Sequence, residues 1–410
     1  MESAFDLLVE RGFVHQTSND HALRDALRRP ITLYCGYDAT APSLTVGHLV
    51  PMMMMAHLQR AGHRPIAVAG GGTTMVGDPT DKAEARPLLS RQQIAQNMAG
   101  IKAQLGRYLD FGGGRALMVD NADWLLQLKY VDFLREIGRH FSVNQLLQHE
   151  TYRDRLQSSG LSFIELNYAL LQSYDFLHLY REYGCVLQVG GTDQWFNILA
   201  GVELIRRVEG AEAFALVAPL ILTASGVKMG KTEAGAVWLS SERTSAYDFY
   251  QFWVNTEDAD VGRFLRLFTF LPEDEIRRLE SLEGADLRAA KDVLAFEATR
   301  LTHGETAARE ARASARALFG GDGSGLEAVP TTAVPTELLA EGIEIVDLLV
   351  LSQLAPSKAA ARRLIEQGGA YLGDRRVASP DLKVTLENLR ANGLLLRAGK
   401  KRYHRLVVAP

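Results

Sequence analysis

Ile31-Thr32-Leu33-Tyr34-Cys35-Gly36-Tyr37-Asp38-Ala39-Thr40, followed by Thr45-Val46-Gly47-His48, is the stretch on which the fold reading turns. Residues 31–35 are mostly apolar, with β-branched Ile31 and Thr32 and aromatic Tyr34, as suits a strand, and 46–61 carry apolar residues at helical spacing. The stretch therefore reads as strand, loop and helix. Gly36 lets a ligand approach the backbone, and Asp38 and Thr40 supply polar groups on the loop. Gly47 and His48 stand where the helix starts, so backbone N–H groups and an imidazole can face an anion together. His48 reads equally well as an ordinary cap-region histidine. Pro51 suits the first turn of that helix, and the methionines at 52–55 read as core packing.

Outward from this unit the alternation continues to about residue 220. Further strands are expected at 65–69, 116–120, 186–189 and 216–222, with helices at 90–108, 122–139 and 163–183. Such alternation predicts an α/β fold with a parallel sheet covered by helices, its ligands lying beyond the strand carboxyl ends. From 244 to 320 the pattern is helical: 245–255, 259–270, 273–282 and 286–319, the last with a break at His303-Gly304. Glycines and prolines over 321–344 read as a linker. The remainder, 345–410, reads as a small α+β domain: Ser357 caps a helix ending near Gly368, then a strand at 370–372 turns at Gly373-Asp374 into Arg375-Arg376-Val377.

Bulk composition bounds the function. With 410 residues, 47% hydrophobic and 23% charged, the chain is a multidomain globular protein. No apolar run approaches membrane-spanning length, and the first residues lack the build of a signal peptide. Two cysteines, Cys35 and Cys185, make neither a disulfide framework nor a zinc set, so a reducing cytoplasm is expected. The net charge of −4 divides unevenly: residues 345–410 hold 12 Lys and Arg against 5 Asp and Glu, or +7, leaving −11 for the rest. A basic tail on an acidic body fits a polyanion partner or simply a solvated surface.

Several further segments carry chemistry. Gly70-Gly71-Gly72 follows the second strand, a poor position for a dinucleotide loop, which should close the first. Asp78, before Pro79, suits a substrate ammonium or an Asx-turn. Lys82 and Arg86, four apart, can meet a pyrophosphate or serve as surface charge. In the apolar helix 163–183, Tyr168, Gln172 and Asp175 share one face, a buried polar stripe that needs partners. Gln188 and the run Gly190-Gly191-Thr192-Asp193-Gln194-Trp195 pose the same demand. Lys228-Met229-Gly230-Lys231-Thr232 offers two lysines and a hydroxyl on a loop able to close over a polyphosphate. Lys358 and Arg362 share a helix face in the basic tail, near Arg363, Arg375 and Arg376.

Taken together these residues resemble the bacterial-type tyrosyl-tRNA synthetases of class I over almost the whole chain. The most specific parts are Tyr34–Asp38, the Tyr168, Gln172, Asp175 helix, Val189–Trp195 and Lys228–Thr232. The resemblance implies a Rossmann-like catalytic domain at 1–225, with an inserted helical dimer-contact segment at about 122–160. It further implies a lysine loop and helical anticodon-side domain at 226–320, the linker, and an S4-like RNA-binding domain at 345–410. By the same resemblance Tyr34 and Asp175 hold the phenolic hydroxyl of tyrosine. Asp78, Tyr168 and Gln172 hold its amino group, with Gln188 beside them. Gly36, Asp38, Thr40, Thr45, Gly47, His48, Gly191, Asp193, Gln194 and Lys231 surround ATP. Lys82, Arg86, Lys228, Lys231 and Thr232 stabilise the departing pyrophosphate, and the tail arginines with Lys358 meet RNA. Two departures stand out. The family's HIGH motif is Thr45-Val46-Gly47-His48 here, and its KMSKS loop keeps both lysines without the serines.

The implied reaction is attack of the tyrosine carboxylate on the α-phosphate of ATP, then transfer of the tyrosyl group to tRNA-Tyr. An ionised carboxylate needs no enzyme base, which is why cations are collected here without a Ser-His-Asp set. ATP with Mg2+ is a substrate, no tightly bound cofactor is expected, and the family implies a homodimer. The apolar run 124–134 fits that dimer contact or core burial. Two rivals remain open: a related synthetase of tryptophanyl type, and an RNA-binding protein with a degenerate synthetase body.

Overall fold

The computed structural model describes residues 3–78, 89–148, 150–157, 160–226, 228–232, 235–320, 329–373, 375–389, 394–399 and 402–409. The chain forms two compact units: Met1–Met229 with Gly262–Ile276, and Gly230–Val261 with Arg277–Pro410.

The first unit is built on six strands: β1 (Gln16–Thr17), β2 (Thr32–Tyr37), β3 (Arg64–Ala69), β4 (Leu117–Asp120), β5 (Cys185–Gly191) and β6 (Phe214–Ala218). Their order is β1-β6-β5-β2-β3-β4. All neighbours are parallel except β1, which runs against β6. Strands β2 to β4 step one way across the sheet, and β5 then returns to the other side of β2. The carboxyl ends of β2 and β5 thus flank the point where strand order reverses, the place where open α/β sheets leave a crevice.

The expected strands are present with shifted ends. β6 stops at Ala218 rather than running to 222, because Pro219 has no N–H to give the ladder. β1, only two residues long, carries no apolar run to betray it. The expected helix at 46–61 is a 3-10 turn, Val46–His48, leading into Leu49–Arg60, where Pro51 falls in the first turn. The helix expected at 90–108 is Arg91–Leu105, with the Ser90 hydroxyl accepting from Gln93 N–H at 3.3 Å.

Two long helices are broken. The 163–183 run splits at Asn167, whose side-chain amide donates to Phe163 O at 2.7 Å and closes the first short helix, Phe163–Leu166. Tyr168–Tyr183 then continues to Gly184, which adopts φ 61° as a left-handed cap. The 122–139 run becomes Ala122–Leu125, Tyr130–Glu136 and a 3-10 turn, Gly138–His140. Its side chains divide accordingly: Trp124, Leu125 and Phe133 are buried, whereas Val131 is 73% exposed. Gly201 lets helix Trp195–Glu209 approach Tyr168–Tyr183, since a Cβ there would lie 3.0 Å from the Phe176 ring.

In the second unit the helices Ala246–Val254, Leu287–His303 and Glu305–Gly320 follow the expected pattern, and Gly304 makes the expected break at φ 93°. The final module has a five-stranded sheet in the order Arg375–Arg376, Ala370–Leu372, Leu394–Ala398, Arg402–Val408, Thr331–Val334. Thr331–Val334 pairs in parallel with Arg402–Val408. Part of the stretch read as linker is therefore a sheet edge, followed by the helix Thr336–Glu341; a four-residue TTAV strand has too little apolar length to announce itself. Leu348, Leu349, Ile365, Leu396 and Leu406 fill the core of this module.

Candidate active site

Residues from the ends of β2, β3, β4 and β5 meet helix Tyr168–Tyr183. Tyr34 on β2 is the register partner of Gln188 on β5, so both side chains leave the same sheet face. Tyr34 packs edge-on against Phe176, ring centroids 5.2 Å apart. Its hydroxyl is buried with no hydrogen-bond partner among the described residues, and the same holds for Gln188 Oε1. Burial, and then the neighbouring Asp175 charge, push the Tyr34 phenol well above its ordinary pKa. Two orphaned polar groups facing one side of a sheet are a cost unless something else satisfies them.

Asp175 is the buried carboxylate of this region. Trp124 Nε1 donates to one oxygen at 2.7 Å and Asn121 Nδ2 to the other at 2.9 Å. Burial raises its pKa to about 7 despite these donors, with the charges of Asp38 and Asp120 adding to the rise. The other face of Trp124 is closed by His178, stacked at 4.3 Å.

Asn121 organises more than Asp175. Its Nδ2 also donates to Thr73 Oγ1 at 3.0 Å, and its Oδ1 accepts from Gly72 N–H at 2.7 Å. The Thr73 hydroxyl in turn donates to Asp38 Oδ1 at 2.9 Å, and Asp38 Oδ2 accepts from the Tyr168 hydroxyl at 3.1 Å. A continuous network thus runs from Trp124 through Asp175, Asn121, Thr73 and Asp38 to Tyr168. The glycine run after β3 belongs to it: a Cβ on Gly70 would sit 2.4 Å from Asp38 Oδ1, and one on Gly71 2.2 Å from Asp120 Oδ1. Those glycines serve close packing of loops, which removes the dinucleotide-loop reading.

At the end of β5, Gln194 Nε2 donates to Asp78 Oδ2 at 2.9 Å and to Asp193 Oδ2 at 3.1 Å. Asp78 is buried and Asp193 exposed, so one amide ties an interior carboxylate to one at the surface. Gln172 is half-buried on the stripe between Tyr168 and Asp175, and Gly191 is half-buried at the strand end.

The helix-start end differs in kind. Gly36, Thr40, Gly47 and His48 are exposed, and Thr45 is half-buried. His48 Nδ1 accepts from Thr45 N–H at 3.2 Å and lies 3.0 Å from Thr45 Oγ1, so the histidine does occupy a cap. Lys228 sits in a narrow turn, its residue bridged to Leu222 while Met229 N–H donates to Ile221 O at 2.9 Å. Lys231 and Thr232 form a two-residue strand paired with Gly235–Ala236. Lys82 and Arg86 lie outside the described residues.

In the final module Arg362, Arg363, Arg375 and Arg376 are exposed. Arg376 lies across Gly368, where an added Cβ would meet Nη2 at 1.6 Å, which brings the hairpin to the end of helix Lys358–Glu366. Lys358 is partly neutralised by Asp347 at 2.6 Å.

Asn121, Thr73 and Trp124 were not singled out from sequence as site residues. Asn121 follows directly on the strand at 117–120, beyond its carboxyl end, and that position was the available signal.

Comparison with known proteins shows the family of the chain. A family model described as tRNA synthetases class I (W and Y) matches residues 26–320. One described as a tyrosine–tRNA ligase SYY-like C-terminal domain matches residues 324–406. The chain is 52% identical over 409 residues to a tyrosine–tRNA ligase of Clostridium botulinum, covering 100% of each. It is 53% identical over 429 residues to that of Desulfosudis oleivorans, covering 99% of each. A solved C-terminally truncated mitochondrial tyrosyl-tRNA synthetase of Aspergillus nidulans is similar at TM-score 0.71 and 30% identity, over 78% of this chain and 95% of that one. Family models along almost the whole chain, and relatives about half identical over its full length, place this protein in the family of tyrosyl-tRNA synthetases, the tyrosine–tRNA ligases.

Proposed function

We infer that the chain activates L-tyrosine with Mg·ATP to tyrosyl-adenylate and pyrophosphate, then transfers the tyrosyl group to the 3′ end of tRNA-Tyr. The observation that carries this reading is the buried pair of Tyr34 and Asp175. One hydroxyl lacks a partner, and one carboxylate is held by Asn121 and Trp124 with accepting capacity to spare. A phenolic O–H inserted here donates to Asp175 and accepts from Tyr34. An indole carries its donor elsewhere and has no acceptor, which disfavours the tryptophanyl rival.

At the other end of the substrate, Asp78, Tyr168 and Gln172 receive the ammonium, and Gln188 supports them. Asp38, Gly191, Asp193 and Gln194 surround the ribose and the reacting carboxylate. His48, Thr40, Gly36, Gly47 and Thr45 lie on the phosphate side. The tyrosine carboxylate attacks the α-phosphorus as the bond to the β-phosphate oxygen breaks, and Lys82, Arg86, Lys228, Lys231 and Thr232 stabilise the charge moving onto pyrophosphate. Catalysis is then positioning plus electrostatics, with no covalent enzyme intermediate. Magnesium enters on the nucleotide, and no tightly bound cofactor is called for.

Arg362, Arg363, Arg375 and Arg376, with Lys358, are the proposed phosphate contacts to tRNA. A homodimer is supported by exposed apolar residues concentrated in one segment: Leu126, Tyr130, Val131, Leu134, Phe163 and Ile164. No described helix is long and apolar enough to cross a membrane; we place the protein in the cytoplasm. Tyrosine-dependent ATP–pyrophosphate exchange, followed by tyrosylation of tRNA, tests the whole reading. Exchange driven by tryptophan, or RNA binding without exchange, would refute it.

A further inference from the structure

The turn that presents Lys228 is gripped from outside by an arginine that belongs to no motif. Lys228 bridges antiparallel to Leu222, and the ladder bond beside them runs from Met229 N–H to Ile221 O at 2.9 Å. A bond between those flanking residues makes Leu222 and Lys228 a pair whose own N–H and C=O groups face away from each other. The Leu222 carbonyl is therefore directed out of the turn, and Arg263 donates to it through Nη2.

Arg263 stands on the helix Val261–Phe268, which is anchored to the first unit. Phe264, Leu265, Leu267 and Phe268 on that helix are buried. At its carboxyl end the buried Arg11 donates to Arg266 O at 3.2 Å, to Thr269 O at 3.0 Å and to Leu271 O. A cation there meets the carbonyls that a helix end leaves open. Beyond it, the Phe270 ring lies 3.6 Å from the Arg60 guanidinium and meets His57 edge-on at 4.9 Å. Both residues lie in the last turn of helix Leu49–Arg60, the helix that His48 precedes. Arg263 thus has a fixed platform, whereas residues 224–226 at the tip of the Lys228 turn are exposed.

We propose that Arg263 is a positioning residue for Lys228: by holding the Leu222 carbonyl it fixes the base of the turn, and so keeps the Lys228 ammonium in place for the departing pyrophosphate. Arg263 acts on the reaction through Lys228 and not on the phosphates themselves. This rests on reading Lys228 as a cation that stabilises that leaving group.

The test is a double-mutant cycle on the full chain, read by tyrosine-dependent ATP–pyrophosphate exchange with KM for ATP and tyrosine measured separately. Arg263→Met keeps an apolar stem and removes the donors, and should lower kcat by about five- to tenfold. KM for tyrosine and the thermal midpoint should stay at parent values. In a Lys228→Ala background, Arg263→Met should cost nothing further. An equal cost in both backgrounds would mean that Arg263 acts on the phosphates directly, and would overturn the proposal. No cost in the parent background, or a loss of tyrosine affinity matching the loss of rate, would overturn it too. Absence of exchange in the parent protein, or a Lys228→Ala variant as fast as the parent, would instead overturn the reading on which it rests.

Discussion

The two ends of the crevice are built on opposite principles. At the Tyr34 and Asp175 end most polar groups are buried, with Asp38 and Gln172 half-buried, and a network from Trp124 to Tyr168 fixes side chains before any ligand arrives. At the His48 end Gly36, Thr40, Gly47 and His48 are exposed on a loop and a 3-10 turn, with contacts from Thr45 to the His48 ring. A buried network discriminates, because a wrong ligand leaves its members unpaired. Exposed cations and donors discriminate little but can gather around charge that develops only during reaction. Selectivity and rate should therefore be separable by mutation.

The largest effect expected is on rate alone. Lys231→Ala should slow adenylate formation by about 10²- to 10³-fold, as removal of one transition-state donor does. Tyrosine affinity, measured by equilibrium binding, should stay near the parent value; a matching loss of affinity would break the division between the two ends. Next comes the proposed RNA face of the final module, which neither end should feel. Replacing Arg362, Arg363, Arg375 and Arg376 by alanine should weaken tRNA binding about 10²-fold at 0.15 M salt and lower the salt slope by about 3. Pyrophosphate exchange should be unaltered in that variant.

Tyr34→Phe should reduce the preference for tyrosine over phenylalanine by about tenfold, read as the ratio of kcat/KM in exchange. An unchanged ratio would mean that the hydroxyl is not what the buried end reads. The smallest effect is a pH dependence confined to that end. Asp175 has a pKa raised to about 7, chiefly by burial. As pH falls through 7 the carboxyl gains a proton and ceases to be the charged acceptor for a phenol. Tyrosine affinity should thus be about fourfold lower at pH 6.5 than at pH 8, while phenylalanine binding stays flat. For stability the sign is reversed. A folded pKa above the ordinary carboxyl value of 3.8 favours the protonated folded state, so this group stabilises the fold as pH drops from 7 toward 4. Asn121→Ala removes a donor that lowers the Asp175 pKa, and should move the binding midpoint to higher pH.

The parallel sheet was legible because β2, β3 and β5 are short apolar runs alternating with helical ones; the switch point was not, since it depends on the strand order. The buried end was legible through the helical spacing of Tyr168, Gln172 and Asp175, polar residues where periodicity demands apolar ones. Asn121 escaped notice because an asparagine after a strand is ordinary turn chemistry; its four side-chain contacts come from Gly72 and Thr73 beyond β3 and from helix Tyr168–Tyr183, remote in sequence. Trp124 read as part of an apolar helix, since nothing in the spacing shows that its indole N–H reaches Asp175. Thr331–Val334 escaped because a parallel edge strand is specified by its partner, Arg402–Val408, some seventy residues on. The phosphate end was legible only as motifs, which name residues without saying how Thr45 and His48 meet.

The account turns on whether the buried end reads a hydroxyl. Its most direct test is the ratio of kcat/KM for tyrosine and phenylalanine in ATP–pyrophosphate exchange by the unaltered protein. Leaving Tyr34 and Asp175 without their partner should cost phenylalanine about 10²-fold or more. Comparable use of the two amino acids would contradict the account.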